Sequence, residues 1–140
     1  DIHKVIDIVS KRKNGMPINH ENIDGLTSDR QVKYYTDAAY CLGLLNKNTT
    51  ITAAGRTLCY RDNLKAKLEF LADRFESSDF GIAWMRWAKV TTMMQLKAED
   101  SELFIEQCVK GLNDATAKRR STTLKSWLNE LKGHRREYQD

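Results

Sequence analysis

A chain of 140 residues that is 41% hydrophobic and 30% charged has room for one domain or two very small ones, and its composition is globular rather than disordered. The net charge of +4 is mild. No apolar run nears the roughly 20 residues of a membrane span, and no signal-peptide pattern opens the chain. A single Pro among abundant Leu, Ala, Lys and Glu favours helix over strand. The first residue is Asp rather than Met, which is expected of an excised or processed piece of a longer parent. Cys41, Cys59 and Cys108 form no CxxC pair, and His3, His20 and His134 stand at no metal-ligand spacing to them. Free thiols in a reducing, cytoplasmic setting are therefore expected rather than a zinc site, and no cofactor is called for.

Residues 2–13, IHKVIDIVSKRK, place Ile2, Val5, Ile6 and Val9 at helical spacing, with cations in the last turn that suit the helix dipole. Asn14-Gly15 ends that helix. Met16–Ile18 reads as a small strand and His20–Gly25 as a short second helix, with Ile23 and Leu26 turned inward. Ser28–Leu45, SDRQVKYYTDAAYCLGLL, is a capped helix. Its inner side carries Val32, Tyr35, Ala38, Ala39 and Leu42, its other side Arg30, Lys33, Tyr34 and Asp37, and Gly43 is its stop. Leu44–Thr52 then gives two short apolar pieces around a polar tip. Helix, short helix, turn, helix and hairpin is the order of a winged helix-turn-helix.

Thr52 caps the next helical run, whose stripe of Leu58, Leu64, Leu68, Leu71, Ala72 and Phe75 extends to Glu76 with a bend near Asp62-Asn63. Ser77-Ser78-Asp79 forms a cap before FGIAWMRWAKV, which is apolar nearly all round and so expected between two layers. Lys89–Leu96 is a packed connector. Asp100 or Ser101 caps SELFIEQCVK, with Leu103, Phe104, Cys108 and Val109 inward and Gly111 as its stop. Asn113–Arg120 reads as a short helix and turn, after which Ser121 caps TTLKSWLNELK with Leu124, Trp127, Leu128 and Leu131 on one face.

A shift of 89 positions lays this last helix over the first capped one. Thr27 falls on Thr116, Arg30 on Arg119, Tyr35 on Leu124, Ala38 on Trp127 and Leu42 on Leu131. Two amphipathic helices always align somewhere, so chance competes with a repeat. The resulting expectation is a mainly α protein. It has a winged helix-turn-helix with a small β-wing at 1–58, connecting helices of a shared core at 59–97, and a second helix-turn-helix-like unit at 98–140 cut off before its wing.

Charge points to a partner. Between Asp114 and Glu137, Lys118, Arg119, Arg120, Lys125, Lys132, Arg135 and Arg136 outweigh three carboxylates to give +4, so the rest of the chain sums to zero. This is the footprint of a phosphate-binding surface or, more plainly, a solvated basic tail. No nuclease carboxylate set, glycine-rich phosphate loop, nucleophile motif or HExxH is present, so no catalytic site is expected. Double-stranded DNA is the expected partner, with no membrane and no small-molecule substrate. Arg30, Gln31, Lys33, Tyr34 and Asp37 would face base edges from the first helix. Arg119, Arg120, Thr122, Thr123, Lys125 and Ser126 would do so from the second. Lys47 and Asn48 would make backbone or minor-groove contacts at the wing tip, and Arg135 and Arg136 would extend the track. Tyr34 lies on the polar stripe, Tyr35 belongs to the core and Tyr40 is left open.

DRQVKYYTDAAYCLGLL followed by ITAAGRTL resembles a winged-helix signature in which the recognition helix ends in LGL and Thr-x-x-Gly-Arg closes the wing. ATAKRRSTTLKSWLNEL resembles the second helix-turn-helix of tandem winged-helix regions in type II restriction endonucleases and related restriction proteins. The resemblance implies the sequence-recognition part of a restriction enzyme, with a metal-dependent nuclease domain elsewhere in the parent. It carries Arg30, Gln31, Lys33 and Tyr34 over in one unit, and Arg119, Arg120, Thr122 and Thr123 in the other. The missing second wing departs from that pattern. A transcription regulator or phage DNA-binding factor of the same fold, and a winged-helix protein-interaction module, are the other readings.

Overall fold

Helical periodicity dominates the chain, and the computed structural model, which describes residues 1–136, is mainly helical. The helices are α1 (Ile2–Lys13), α2 (Asp29–Cys41), α3 (Ala53–Tyr60), α4 (Leu64–Ser77), α5 (Asp79–Ala88), α6 (Ser101–Cys108) and α7 (Asp114–Leu131). Side-chain caps begin several of them where the sequence predicts. Ser28 accepts from the Gln31 N–H, Thr52 from Gly55 and Ser78 from Gly81, each filling one of the unpaired donors of a helix start. The bend expected near Asp62-Asn63 is a true break, with Asn63 capping α4. No helix of the described residues is long and apolar enough to cross a membrane.

Residues from all three predicted segments share one apolar core. Trp84 of α5 is fully buried and stacks on Phe104 of α6, centroids 5.6 Å apart and planes 11° apart. Phe75 of α4 lies against both Trp84 and Phe80, and Phe80 meets Trp127 of α7 at 5.6 Å. This buried aromatic run explains why α5 is apolar nearly all round. Trp87 is half-buried and donates to Gln107 (2.8 Å).

The winged-helix elements are only partly formed. His20–Gly25 is a series of turns rather than a helix. Asn19 accepts from the backbone of Glu21 and Asn22, while Asn22 donates to the Pro17 carbonyl. Such local side-chain bonds compete with a helical ladder, and Gly25 at φ +82° ends the segment. Ile23 and Leu26 are nonetheless buried as expected. Met16–Ile18 forms no strand, since Met16 N–H is used by the Lys11 carbonyl at the end of α1 and Pro17 has no N–H to donate. The hairpin is reduced to one antiparallel bridge between Leu45 and Ile51, and no β-strand forms among the described residues. It is nevertheless firmly tied. Arg12 donates to the Thr49 carbonyl (3.0 Å), Thr52 donates to the Gly43 carbonyl (2.7 Å), and Arg74 of α4 donates to the Leu42 carbonyl (2.9 Å).

The C-terminal third differs more. Asp114–Leu131 is one continuous helix rather than a helix, a turn and a second helix. Its cap is Asn113, and Ser121 is buried within it, its hydroxyl donating back to the Lys118 carbonyl (2.8 Å). A serine bonded to the preceding turn sits in a helix as readily as at its start, so the letter S did not mark a boundary. On α6, Phe104 and Ile105 face inward, whereas Leu103, Cys108 and Val109 are exposed because the helix stops at Cys108 and the chain turns away. Arg135 forks onto both oxygens of Glu76 (3.0 and 3.1 Å), tying the segment after α7 to α4.

Two substitutions probe these restraints. A Cβ on Gly55 would lie 2.2 Å from the Leu44 carbonyl oxygen, so Gly55→Ala should destabilise by about 1–3 kcal/mol in urea unfolding despite its better helix propensity. Burial pushes the Glu76 carboxyl up, but the Arg135 guanidinium and the Met93 N–H outweigh it and hold Glu76 below the usual carboxylate range. Its stabilisation is therefore full at neutral pH and is lost as pH falls through the folded-state value. Glu76→Gln should cost about 1 kcal/mol at neutral pH, and that cost should shrink on acidification.

Candidate nucleic-acid interface

The cationic residues chosen from two distant stretches of sequence meet on a single seam. The outer face of α2 does not stand free, because α7 lies beside it. The contact is a hydrogen bond between the hydroxyls of Tyr34 and Thr123. Thr123 spends its own proton on the Arg119 carbonyl (3.0 Å), so Tyr34 is the donor. Tyr34 is thereby half-buried and set edge-on to Tyr35, with centroids 5.0 Å apart. The expectation of Tyr34 as a free reader is corrected: its hydroxyl holds two helices together. The pair is also separated by 89 residues, the offset of the proposed repeat.

On either side of this contact the surface is concave. A cleft of ≈ 230 Å³ is lined by Arg30, Lys33, Tyr34 and Asp37 from α2 and by Thr116, Arg119 and Arg120 from α7. A shallower depression adds Lys118, Thr122, Thr123 and Ser126, with Asp1 at its edge. Five cations thus surround the seam against two carboxylates, Asp1 and Asp37. Asp37 pairs with Lys33 at 2.9 Å on an exposed stretch of α2, and Asp1 is used as the cap of α1. Arg119 donates to Thr116 (3.3 Å). Among the described residues, the side chains of Arg30, Lys118 and Arg120 make no ion pair or hydrogen bond. Five cations gathered against only two carboxylates set up a positive potential that favours an anion in the cleft.

The other predicted residues fall elsewhere or have prior engagements. Gln31 accepts from the Thr27 N–H (2.8 Å) and hydroxyl, so its carbonyl oxygen supports the start of α2. Asn48 shapes the hairpin tip by accepting from the Thr50 N–H and hydroxyl. Lys47 is exposed and lines a second groove beyond Tyr34. Lys125 is exposed on α7 but borders none of these depressions. Thr122 donates to the Lys118 carbonyl (2.9 Å). Arg135 and Arg136 do not extend a basic track, because both turn to α4, Arg135 to Glu76 and Arg136 to Glu69 (3.5 Å). Glu137, within the basic stretch, lies outside the described residues. Sequence reasoning missed Lys118 as a lining residue, although the charge count contained it, and missed Thr116. Among the described residues no group of three or more His, Cys, Asp or Glu is placed to hold a metal ion.

Fold and site together define a small, mainly helical protein that presents a two-helix basic seam. Residues 4–132 match a family described as a domain of unknown function (DUF7226), and the chain belongs to that family. No curated protein and no solved structure matches it.

The Lys33–Asp37 pair yields a direct check on the seam. Both groups are exposed, so Asp37→Asn should change stability by less than about 0.5 kcal/mol in thermal unfolding. The same change releases Lys33 and should tighten binding of a polyanion such as heparin, read as later elution in a salt gradient.

Proposed function

We propose that the α2–α7 seam binds double-stranded DNA without catalysis of its own. The observation that carries this reading is the convergence of Arg30, Lys33, Lys118, Arg119 and Arg120 on one concave surface, from segments nearly ninety residues apart in sequence. A solvated basic tail would scatter such charges. Their gathering against mutual repulsion is better accounted for by a polyanion that they share. In this reading α1, the 19–25 turns, α2 and the tied hairpin act as a reduced winged helix-turn-helix, with Lys47 and Asn48 at its tip. Because α7 flanks α2, the two helices would engage DNA jointly rather than as separate recognition units. Arg30 is the candidate for a base edge, and Lys33, Lys118, Arg119 and Arg120 for phosphates.

The narrower reading, target recognition for a restriction endonuclease whose nuclease domain lies elsewhere in a parent chain, is proposed on the sequence resemblance of ATAKRRSTTLKSWLNEL, which α7 carries as one continuous helix. The three cysteines are free, which supports the proposal of a reducing, cytoplasmic setting. A transcription regulator of the same fold would be distinguished by dimerisation and a palindromic site.

Salt titration of binding to a labelled duplex is the test. Four phosphate-facing cations, at about 0.9 counterions for each phosphate neutralised, give a slope of log K against log salt near −4. Arg119→Ala combined with Arg120→Ala should lower that slope by about 2 and weaken binding to all sequences. Arg30→Ala should cost about 1–3 kcal/mol and relax the preference at one base pair if it reads an edge. Absence of duplex binding at low salt would end the proposal.

A further inference from the structure

We infer that the groove beside the cationic cleft receives a single nucleobase drawn out of the nucleic-acid stack, with its phosphate held in the cleft. This deepens the DNA-binding reading and rests on it. The groove, ≈ 470 Å³, lies between α2 and the α6–α7 arm. Its volume falls within the range of small-molecule sites, about 300–1,000 Å³, where a base with its sugar can be accommodated. Its wall is aromatic and aliphatic, with Trp127, Phe80 and Tyr40 joined by Leu124 and Val109. Flat rings of this kind take the face of any base, which is how proteins without sequence preference hold single nucleotides.

Two further observations commit the groove to a nucleotide rather than to an uncharged apolar molecule. Tyr34, Asp37 and Arg120 line both the groove and the ≈ 230 Å³ cationic cleft, so the two hollows adjoin across these side chains. A ligand spanning them would meet aromatic rings at one end and Arg30, Arg119 and Lys33 at the other, which matches a base joined to its phosphate. Polar groups for a base edge are also in place. Asp37 can accept from an exocyclic amine once Lys33 has moved to a phosphate. Trp127, only 4% exposed, lines the groove with an indole N–H that has no acceptor among the described residues. This N–H is free to donate to a base nitrogen or carbonyl in the groove. Extrusion is easiest for a mispaired base, because less pairing and stacking is given up.

The experiment compares the affinities of the intact chain for two dye-labelled duplexes, one fully paired and one with a single central mismatch. Fluorescence anisotropy at low salt is the readout. The mismatched duplex should bind several-fold more tightly. Val109→Trp, placed on the exposed edge of the groove so that it fills the groove without disturbing the core, should bind both duplexes equally, at the affinity of the paired one. Circular dichroism establishes that the variant is folded, and Tyr40→Ala, at a 49% exposed wall residue, should narrow the same difference. Equal affinities in the unaltered protein, or a preference that survives Val109→Trp, would overturn the nucleobase site while leaving duplex binding intact. No binding to either duplex would overturn both this site and the DNA-binding reading.

Discussion

Trp84 lying flat on Phe104 is the contact on which the arrangement of the second half of the chain depends. The stacked pair fixes α5 against α6, and the run continues through Phe75 and Phe80 to Trp127 on α7. Aromatic contacts of this type bury large areas and restrict ring orientation, so the rotation of α7 about its own axis is determined from the inside. With Trp127, Leu128 and Leu131 committed inward, the opposite face of α7 must carry Lys118, Arg119 and Thr122 outward. The aromatic core thus decides which cations reach α2. Trp127 takes part in both roles, packing on Phe80 while forming groove wall.

Packing alone would not draw so many positive groups together. Their repulsion is opposed by the Tyr34–Thr123 hydrogen bond, by the pairing of Asp37 with Lys33, and by the backbone amide of Ile2, which donates to Glu130 of α7 (3.1 Å) and ties the start of α1 to the same helix. Several of these restraints are exposed or part-buried, so each is worth little by itself. A surface held at positive potential by weak restraints around an aromatic frame would suit the proposed DNA ligand, which could bind without the frame being rebuilt.

How much of this could be read from the letters depends on whether the deciding interaction is local. α1, α2 and the caps at Ser28, Thr52 and Ser78 are legible because the hydrogen bonds that start a helix reach only two or three residues along the chain. The stop at Gly43, with φ +74°, is legible for the same reason. Errors arose where one residue type serves two local purposes. Ser121 could cap a helix or bond back within one, and Asn19 with Asn22 turned a helical-looking segment into turns. The pairing of the α2 and α7 cations was legible only as two separate basic faces, since nothing local announces that helices so distant in sequence border one cleft. The same holds for Arg135, whose charge suggested a solvated track until Glu76, far along the chain, claimed it.

The hairpin at 44–52 has little β-structure, yet its attachments make it something other than a loose flap. Arg12, Thr52 and Arg74 reach it or its entry from α1, the start of α3 and α4 respectively, so it cannot open without releasing bonds to three helices. In the language of native-state hydrogen exchange, those shared bonds would couple opening of the tip and the end of α2 to opening of those helices. A ligand that orders the hairpin would therefore also slow exchange in α4, which reaches the hairpin's entry only through Arg74.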